Sequence, residues 1–182
     1  HWPAEERHSD AWRQLDRDTW RAMERLYDEG VLRAIGVSNF LPHHLLNLFA
    51  SANIRPMVNE IEFHPGYTQP YVTEFCRKNG IVLEGWSPIG RGRLLRLPLL
   101  REMGARYGKS PAQLCIRFAL QSGVLPLPKS SSRARMLENL DVFDFTLSEE
   151  DFSRLATLPQ VGWSGKHPDF ERWAPELEAE NR

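Results

Sequence analysis

Polar side chains gather at four places where a short apolar run gives out: Ser38-Asn39, Asn59-Glu60, Trp86-Ser87 and Lys129-Ser130. In parallel α/β folds, residues at the carboxyl ends of strands face the ligand. Hydroxyls and amides at such positions can hold a carboxamide, and an indole face can stack on a flat ring. Just beyond the last pair come Arg135, Glu138 and Asn139, on a helix whose first turn follows Lys129. Backbone N–H groups and the dipole at a helix start favour phosphate, and here two cations flank that start. The loop Pro88-Ile89-Gly90-Arg91-Gly92-Arg93 adds glycines for close backbone approach and two further cations. Together these features describe a site for a dinucleotide carrying an extra phosphate.

The elements that must position these groups alternate along the chain. Val31–Val37, Met57–Phe63, Ile81–Trp86 and Val124–Leu127 read as strands by length and β-branched content. Helices lie around them. Trp12, Leu15, Thr19, Met23, Leu26 and Tyr27 recur at helical spacing before a stop at Gly30. Pro42 stands where a first helical residue belongs, ahead of Leu45, Leu46, Leu48 and Phe49. A third helix spans about residues 69–79 and ends at Gly80. Ser110-Pro111-Ala112-Gln113 is a capping box for a helix that stops at Gly123. Ser131 or Ser132 opens another through Leu140, and Ser148 opens a last one. Strands alternating with helices imply parallel pairing. The near-continuous apolar runs predict strands buried on both faces. Both an open doubly wound sheet and a closed barrel share this rhythm.

At 182 residues the chain can bury a sizeable core. Lys plus Arg is 23 against 24 for Asp plus Glu, so no whole-chain basic field exists to attract nucleic acid or an anionic membrane. No apolar run approaches membrane-spanning length and no leader pattern opens the chain. Cys76 and Cys115 fall in predicted helices and read as small buried hydrophobes of a cytoplasmic protein.

Gly36-Val37-Ser38-Asn39-Phe40, the stretch from Val58 to Pro65, and Pro128-Lys129-Ser130 with Arg135, Glu138 and Asn139 resemble the aldo-keto reductases. His1-Trp2-Pro3 resembles the end of that family's fourth barrel strand. Trp86 and the stretch Val161 to Gly165 before His167-Pro168 are similar to the bacterial branch that includes diketogluconate reductases. The resemblance runs from residue 1 to about residue 170, and four motifs in the right order are specific where one would be weak. It implies an α/β fold, a (β/α)8 TIM barrel. Residues 1–182 would form the C-terminal half of its single domain, from the end of strand 4 through strand 8 and the C-terminal helix. Residues 160–182 would be a C-terminal substrate-loop tail. The implied activity is NADPH-dependent reduction of aldehydes and ketones to alcohols by hydride transfer, with NADPH/NADP as cofactor and no metal. Ser38, Asn39 and Glu60 would hold the nicotinamide carboxamide, and Trp86 would stack on its ring. Ser87 through Arg91, with Ile89 among them, would run along the pyrophosphate. Lys129, Ser130 and Arg135 would grip the 2′-phosphate, with Glu138 and Asn139 on the adenine. His1 would be the catalytic group bonded to the substrate carbonyl, and Trp2 would line its pocket.

Two departures qualify these implications. Glu60 stands where the family usually has Gln; a carboxylate can accept from the carboxamide NH2 but cannot donate to its carbonyl. The family's proton relay uses Asp, Tyr, Lys and His, and three of these belong upstream of His1-Trp2-Pro3. Tyr27, Tyr67, Tyr71 and Tyr107 fall on helices or loops and match none of them. Without an acid near the developing alkoxide, hydride transfer slows by orders of magnitude. His1 can act only if chain precedes it, because a terminal residue has nothing to hold it. Half a barrel also leaves two sheet edges and an open core, so three explanations compete. An N-terminal half-barrel that precedes these residues is the favoured one; a truncated copy and association with a second copy of the chain are the others.

The residues admit plainer roles. Ser38-Asn39 could cap the helix near Pro42. Glu62 could sit in a barrel ion pair, His64 before Pro65 could order a turn, and His43-His44 could occupy a solvated helix face. A rival from another class is a TIM-barrel glycoside hydrolase using Glu60 and Glu84, although Glu84 before Gly85-Trp86 would face away from the site and Lys129 through Asn139 go unexplained. A third reading is a non-catalytic nucleotide-binding remnant.

Overall fold

The computed structural model describes residues 11–169, so His1, Trp2 and the end of the expected tail at 170–182 lie outside the described residues. Helix α1 (Trp12–Asp28) is followed by β1 (Gly36–Ser38), α2 (Pro42–Phe49), β2 (Val58–Glu62), α3 (Pro70–Lys78) and β3 (Val82–Trp86). Two short 3-10 turns, Gly90–Gly92 and Leu94–Arg96, lead into α4 (Pro98–Tyr107) and α5 (Pro111–Gln121). Then come β4 (Leu125–Leu127), α6 (Arg133–Leu140) and α7 (Glu149–Ala156). The strands form one sheet in the order β1-β2-β3-β4. Gly36 to Ser38 pair in parallel with Val58 to Glu60, and Glu84 to Trp86 with Leu125 to Leu127. Sequential order, parallel pairing and intervening helices are the βα rhythm the sequence predicts.

Two compact units divide the chain. Among the described residues, the first comprises 11–61, Pro70–Leu83 and 165–169, and its core includes Trp20, Leu45, Leu48, Ile61, Val72 and Leu83. The second comprises Glu62–Gln69 and Glu84–Ser164. Its core is built from Leu94, Leu100, Met103, Leu114, Phe118 and Leu155, with Phe118 stacked on Phe63 and tilted against Phe152. Cys76 in α3 and Cys115 in α5 are both buried and free, as expected. Burial raises both thiols, Cys115 to about 12, which leaves them unreactive.

The helix signals behave as local chemistry requires. Ser110 accepts from the Gln113 amide, and Gln113 Oε1 accepts from the Ser110 amide. Ser132 caps α6 and Ser148 caps α7. Helix α4 was not anticipated. Its signal is present in Pro98 at the first turn and in Gly108, whose φ of 63° closes the helix.

Helix α1 forms where the helical spacing predicts it, and its buried side chains are Asp16, Trp20 and Glu24, while Leu15 and Leu26 are exposed. The reason is peptide satisfaction. Trp20 Nε1 donates to the Ile54 carbonyl at 2.9 Å, and Glu24 Oε1 accepts from the Ile54 amide at 2.8 Å. Turning the polar stripe inward pairs a loop that would otherwise bury bare backbone groups. Two expectations about orientation are corrected. The strands were expected to be covered on both faces, but Val82, Leu125 and Leu127 are exposed. His44 was expected on a solvated face, yet it is buried, with its Nδ1 accepting from the Leu41 amide at 3.0 Å. That ring caps α2, so Ser38-Asn39 are not needed for the task.

In the second unit, buried Asp151 accepts from Arg106 at 2.7 Å and from the Tyr107 hydroxyl at 2.8 Å. Burial alone would push this carboxyl up, but the bonds from Tyr107 and Arg106 hold it below its ordinary 3.8. A depressed carboxylate contributes stability that is present above the ordinary value and lost as pH falls through the folded one. Asp151→Asn should therefore lower the melting temperature near neutrality, and the gap from the wild type should narrow steadily below about pH 4. Thermal melts across that range check it; a gap that stays constant would refute the assignment.

Candidate functional site

In the first unit, the turn after β1 and the end of β2 bring Ser38, Asn39 and Glu60 together. Ser38 lies in register with Glu60. Ser38 Oγ donates to the Glu60 carbonyl at 3.0 Å and accepts from Asn39 Nδ2 at 3.0 Å, while the Asn39 amide donates to the same carbonyl at 2.8 Å. Asn39 has a φ of 60°, a conformation that asparagine tolerates and that turns its side chain back onto Ser38. Behind them Asn59 is fully buried, donating to the Phe40 carbonyl at 2.8 Å and accepting from the Phe40 amide at 3.3 Å. The turn is thus fixed from the strand side. Among the described residues, no hydrogen bond or ion pair engages the Glu60 carboxylate.

In the second unit, β3 ends at half-buried Trp86, and the chain then turns sharply at Ser87, where φ is 52°. Ile89 precedes the turn Gly90–Gly92, in which Arg91 has a φ of 54° and its guanidinium sits 5.9 Å from the Trp86 ring centroid. Arg93, expected as another phosphate cation, instead donates to the Gly162 and Trp163 carbonyls at 3.2 and 2.7 Å. Alternation along β3 places Glu84 on the same face as Trp86, not on the opposite one, with Leu83 and Gly85 buried on the other.

Further along this unit, Lys129 is exposed and Ser130 half-buried just past β4. Ser130 Oγ accepts from the Ser132 amide at 3.1 Å, and Ser132 Oγ accepts from the Arg135 amide at 3.5 Å. The serines shape the entry to α6 and leave the Arg133 and Ala134 amides without intrahelical partners. Arg135 is exposed, and Glu138 and Asn139 follow half-buried on the same helix. Among the described residues neither Lys129 nor Arg135 takes part in an ion pair, whereas Arg106, Lys109 and Arg154 do.

A second feature of this unit joins Glu62 and His64, for which the sequence suggests an ion pair and a turn, to a partner it does not suggest, Ser164. Glu62 and His64 are buried together. Glu62 accepts from the Ser164 amide at 2.9 Å and from Ser164 Oγ at 2.7 Å. His64 Nδ1 donates to the Pro65 carbonyl at 2.9 Å, so the turn-ordering role expected for it holds, and its Nε2 lies 3.4 Å from Glu62. Tyr67 stacks on Trp163 at 5.9 Å, and burial together with the Glu62 charge pushes its hydroxyl up to about 12. The segment Gly162 to Ser164 is therefore strapped down by Arg93, Glu62 and Tyr67. Partners about a hundred residues apart leave no trace in local spacing.

Comparison with known proteins places this geometry. The Aldo/keto reductase family model matches residues 1–159, and the chain belongs to that family. It is 44% identical over 169 residues to glyoxal reductase from Bacillus subtilis (strain 168), covering 93% of this chain and 58% of that protein. It is 42% identical over 172 residues to 9,11-endoperoxide prostaglandin H2 reductase from Trypanosoma cruzi (strain CL Brener), again covering 93% and 58%. The chain thus spans less than two thirds of the length of the curated relatives it matches. Among solved structures, Gox0644 in its apo form superimposes with a TM-score of 0.85 at 35% identity, over 94% of this chain and 62% of that one. A Gox0644 variant in complex with NADPH gives 0.84 at 36% identity, over 92% and 60%. The fold is that of the (β/α)8 reductases, represented here by four parallel strands and their helices.

Proposed function

We propose that this chain supplies the carboxyl-terminal half of an NADPH-dependent carbonyl reductase, transferring hydride from the cofactor to a small aldehyde or ketone. The observation that carries the reading is the hydrogen-bonded set of Ser38, Asn39 and Glu60 at adjoining strand ends, which offers a hydroxyl, an amide and a carboxylate to a carboxamide. In the second unit the same reading gives Trp86 the nicotinamide ring and Ser87, Ile89 and Arg91 the pyrophosphate. Lys129, Ser130 and Arg135 take the 2′-phosphate, and Glu138 and Asn139 the adenine. Glu60 retains the accepting half of a glutamine's role and loses the donating half. When bound, the cofactor supplies the hydride; the chain's own side chains orient it. His1 would meet the substrate carbonyl and Trp2 would line its pocket, both beyond the described residues. The NADPH complex of the Gox0644 variant and the glyoxal reductase relative support cofactor and substrate class.

The remaining tetrad members belong to the amino-terminal half of the barrel. Leu15 and Met23 of α1, with Val37 and Phe40, line an open crevice of about 200 Å³ in the first unit. In the second unit α6 buries none of its residues, and Leu125 and Leu127 of β4 are exposed. Apolar surface of this kind calls for cover. The amino-terminal half-barrel is the occupant that also brings the missing Asp, Tyr and Lys; a second copy brings none of them. Among the described residues no helix is long and apolar enough to cross a membrane. Buried free thiols and NADPH chemistry suit the cytoplasm.

The test is NADPH oxidation on adding glyoxal, measured for the chain alone and for the chain joined to an amino-terminal half-barrel of the family. Activity is expected only in the joined form and with NADPH favoured over NADH. Turnover by the chain alone, or equal use of both cofactors, would overturn the reading. NADPH binding without turnover in the joined form would mark a nucleotide-binding remnant. Family membership favours hydride transfer over the glycosidase alternative on Glu60 and Glu84.

A further inference from the structure

In the first unit, the start of α2 and the segment that follows Gly165 meet at three polar side chains. His43 Nε2 lies 3.0 Å and His44 Nε2 lies 3.1 Å from the same oxygen, Asp169 Oδ1. His44 is buried, while His43 is half-exposed. The spacing of these atoms would suit a divalent metal, since all of them lie within 4.8 Å of one another. The second nitrogen of His44 argues otherwise. Its Nδ1 accepts from the Leu41 amide, so Nδ1 must carry a lone pair and Nε2 must carry the proton. A metal-bound histidine shows the opposite arrangement, with its free nitrogen donating outward. Nε2–H of His44 is a donor, and Asp169 is its acceptor.

We propose that His43 and His44 form a two-donor clasp that fastens residues 165–169 onto α2 through Asp169, and that the His44 ring makes this clasp hold the start of α2 as well. One imidazole joins a carboxylate on the C-terminal segment to the amide that opens the helix. That amide is two residues beyond Asn39, so the clasp steadies the turn carrying Ser38 and Asn39. Its bearing on cofactor binding rests on the function proposed above, whereas its existence does not. The groups facing His44 are Asp169, His43 and His167, with the rings of Phe40 at 5.6 Å and Trp12 at 5.1 Å. Arg13 is held over the Trp12 ring at 4.6 Å. A proton added to His44 can go only to Nδ1, where the Leu41 amide already points. Burial, then the neighbouring His43, lower its pKa to about 4, in keeping with a ring that must stay neutral.

The experiment uses the full chain labelled with 15N-histidine, as wild type, Asp169→Ala and His43→Gln. Long-range proton–nitrogen spectra near neutral pH should show His44 as the Nε2–H tautomer in the wild type. Asp169→Ala should speed amide exchange about tenfold at Lys166, His167 and position 169 and measurably at Leu41, with α5 unchanged; His43→Gln should do so to a lesser extent. These results would support the clasp whether or not NADPH binds. An Nδ1–H tautomer, or Leu41 exchange unaffected by Asp169→Ala, would overturn it. A shift of both imidazoles on adding micromolar zinc would show a metal site in its place.

Discussion

Replacing both Lys129 and Arg135 with alanine is expected to weaken NADPH binding by about a hundredfold while leaving NADH binding within about twofold. Both side chains are exposed and neither is in an ion pair among the described residues, so their removal costs the free protein little. A 2′-phosphate is doubly charged, and each charge-assisted bond to it contributes about 1.5 kcal/mol at an exposed site. Two of them amount to about 3 kcal/mol, roughly two decades in the dissociation constant. The bonds exist only with the phosphorylated cofactor, so NADH serves as the internal control. Quenching of tryptophan fluorescence in the joined protein reads both constants. Equal losses for both cofactors would mean that the cations act on the pyrophosphate or on folding, and the proposed assignment would fail.

The second large effect concerns stability. Glu62→Ala should destabilise the second unit by about 3–5 kcal/mol, the usual cost of removing one partner from a buried charged network. The Ser164 amide and hydroxyl would lose their acceptor. A fall of roughly 10 °C in melting temperature is expected. Glu62→Gln keeps an acceptor and the volume, and should lie between the two. A red shift of tryptophan emission should accompany the alanine variant, because Trp163 adjoins the released Ser164. A melting temperature unchanged within about a degree would show that Glu62 carries no such weight.

These two cases differ in how far the sequence announces them. Lys129, Ser130 and Arg135 were legible because their grouping is local: a strand end, a hydroxyl cap and a helix start lie within nine residues. Ser38, Asn39 and Glu60 were legible as strand-end polar groups, and parallel register brought the first and last of them side by side. Nothing local pairs Glu62 with Ser164, or His44 with Asp169. The periodicity of α1 announced the helix, but it reports which residues are apolar and not which surface exists to receive them.

The chain by itself therefore determined its helices, its parallel strands and the chemistry offered at each strand end. Turn residues, caps and alternating runs act over a few positions, and short-range sterics and hydrogen bonding enforce them wherever they occur. Tertiary structure alone decided that α1 turns Asp16, Trp20 and Glu24 inward, that Arg93 serves a loop and not a phosphate, and that two histidines hold a distant aspartate. Those outcomes depend on which buried peptide groups need partners once distant segments meet, a demand that arises only after the chain has folded.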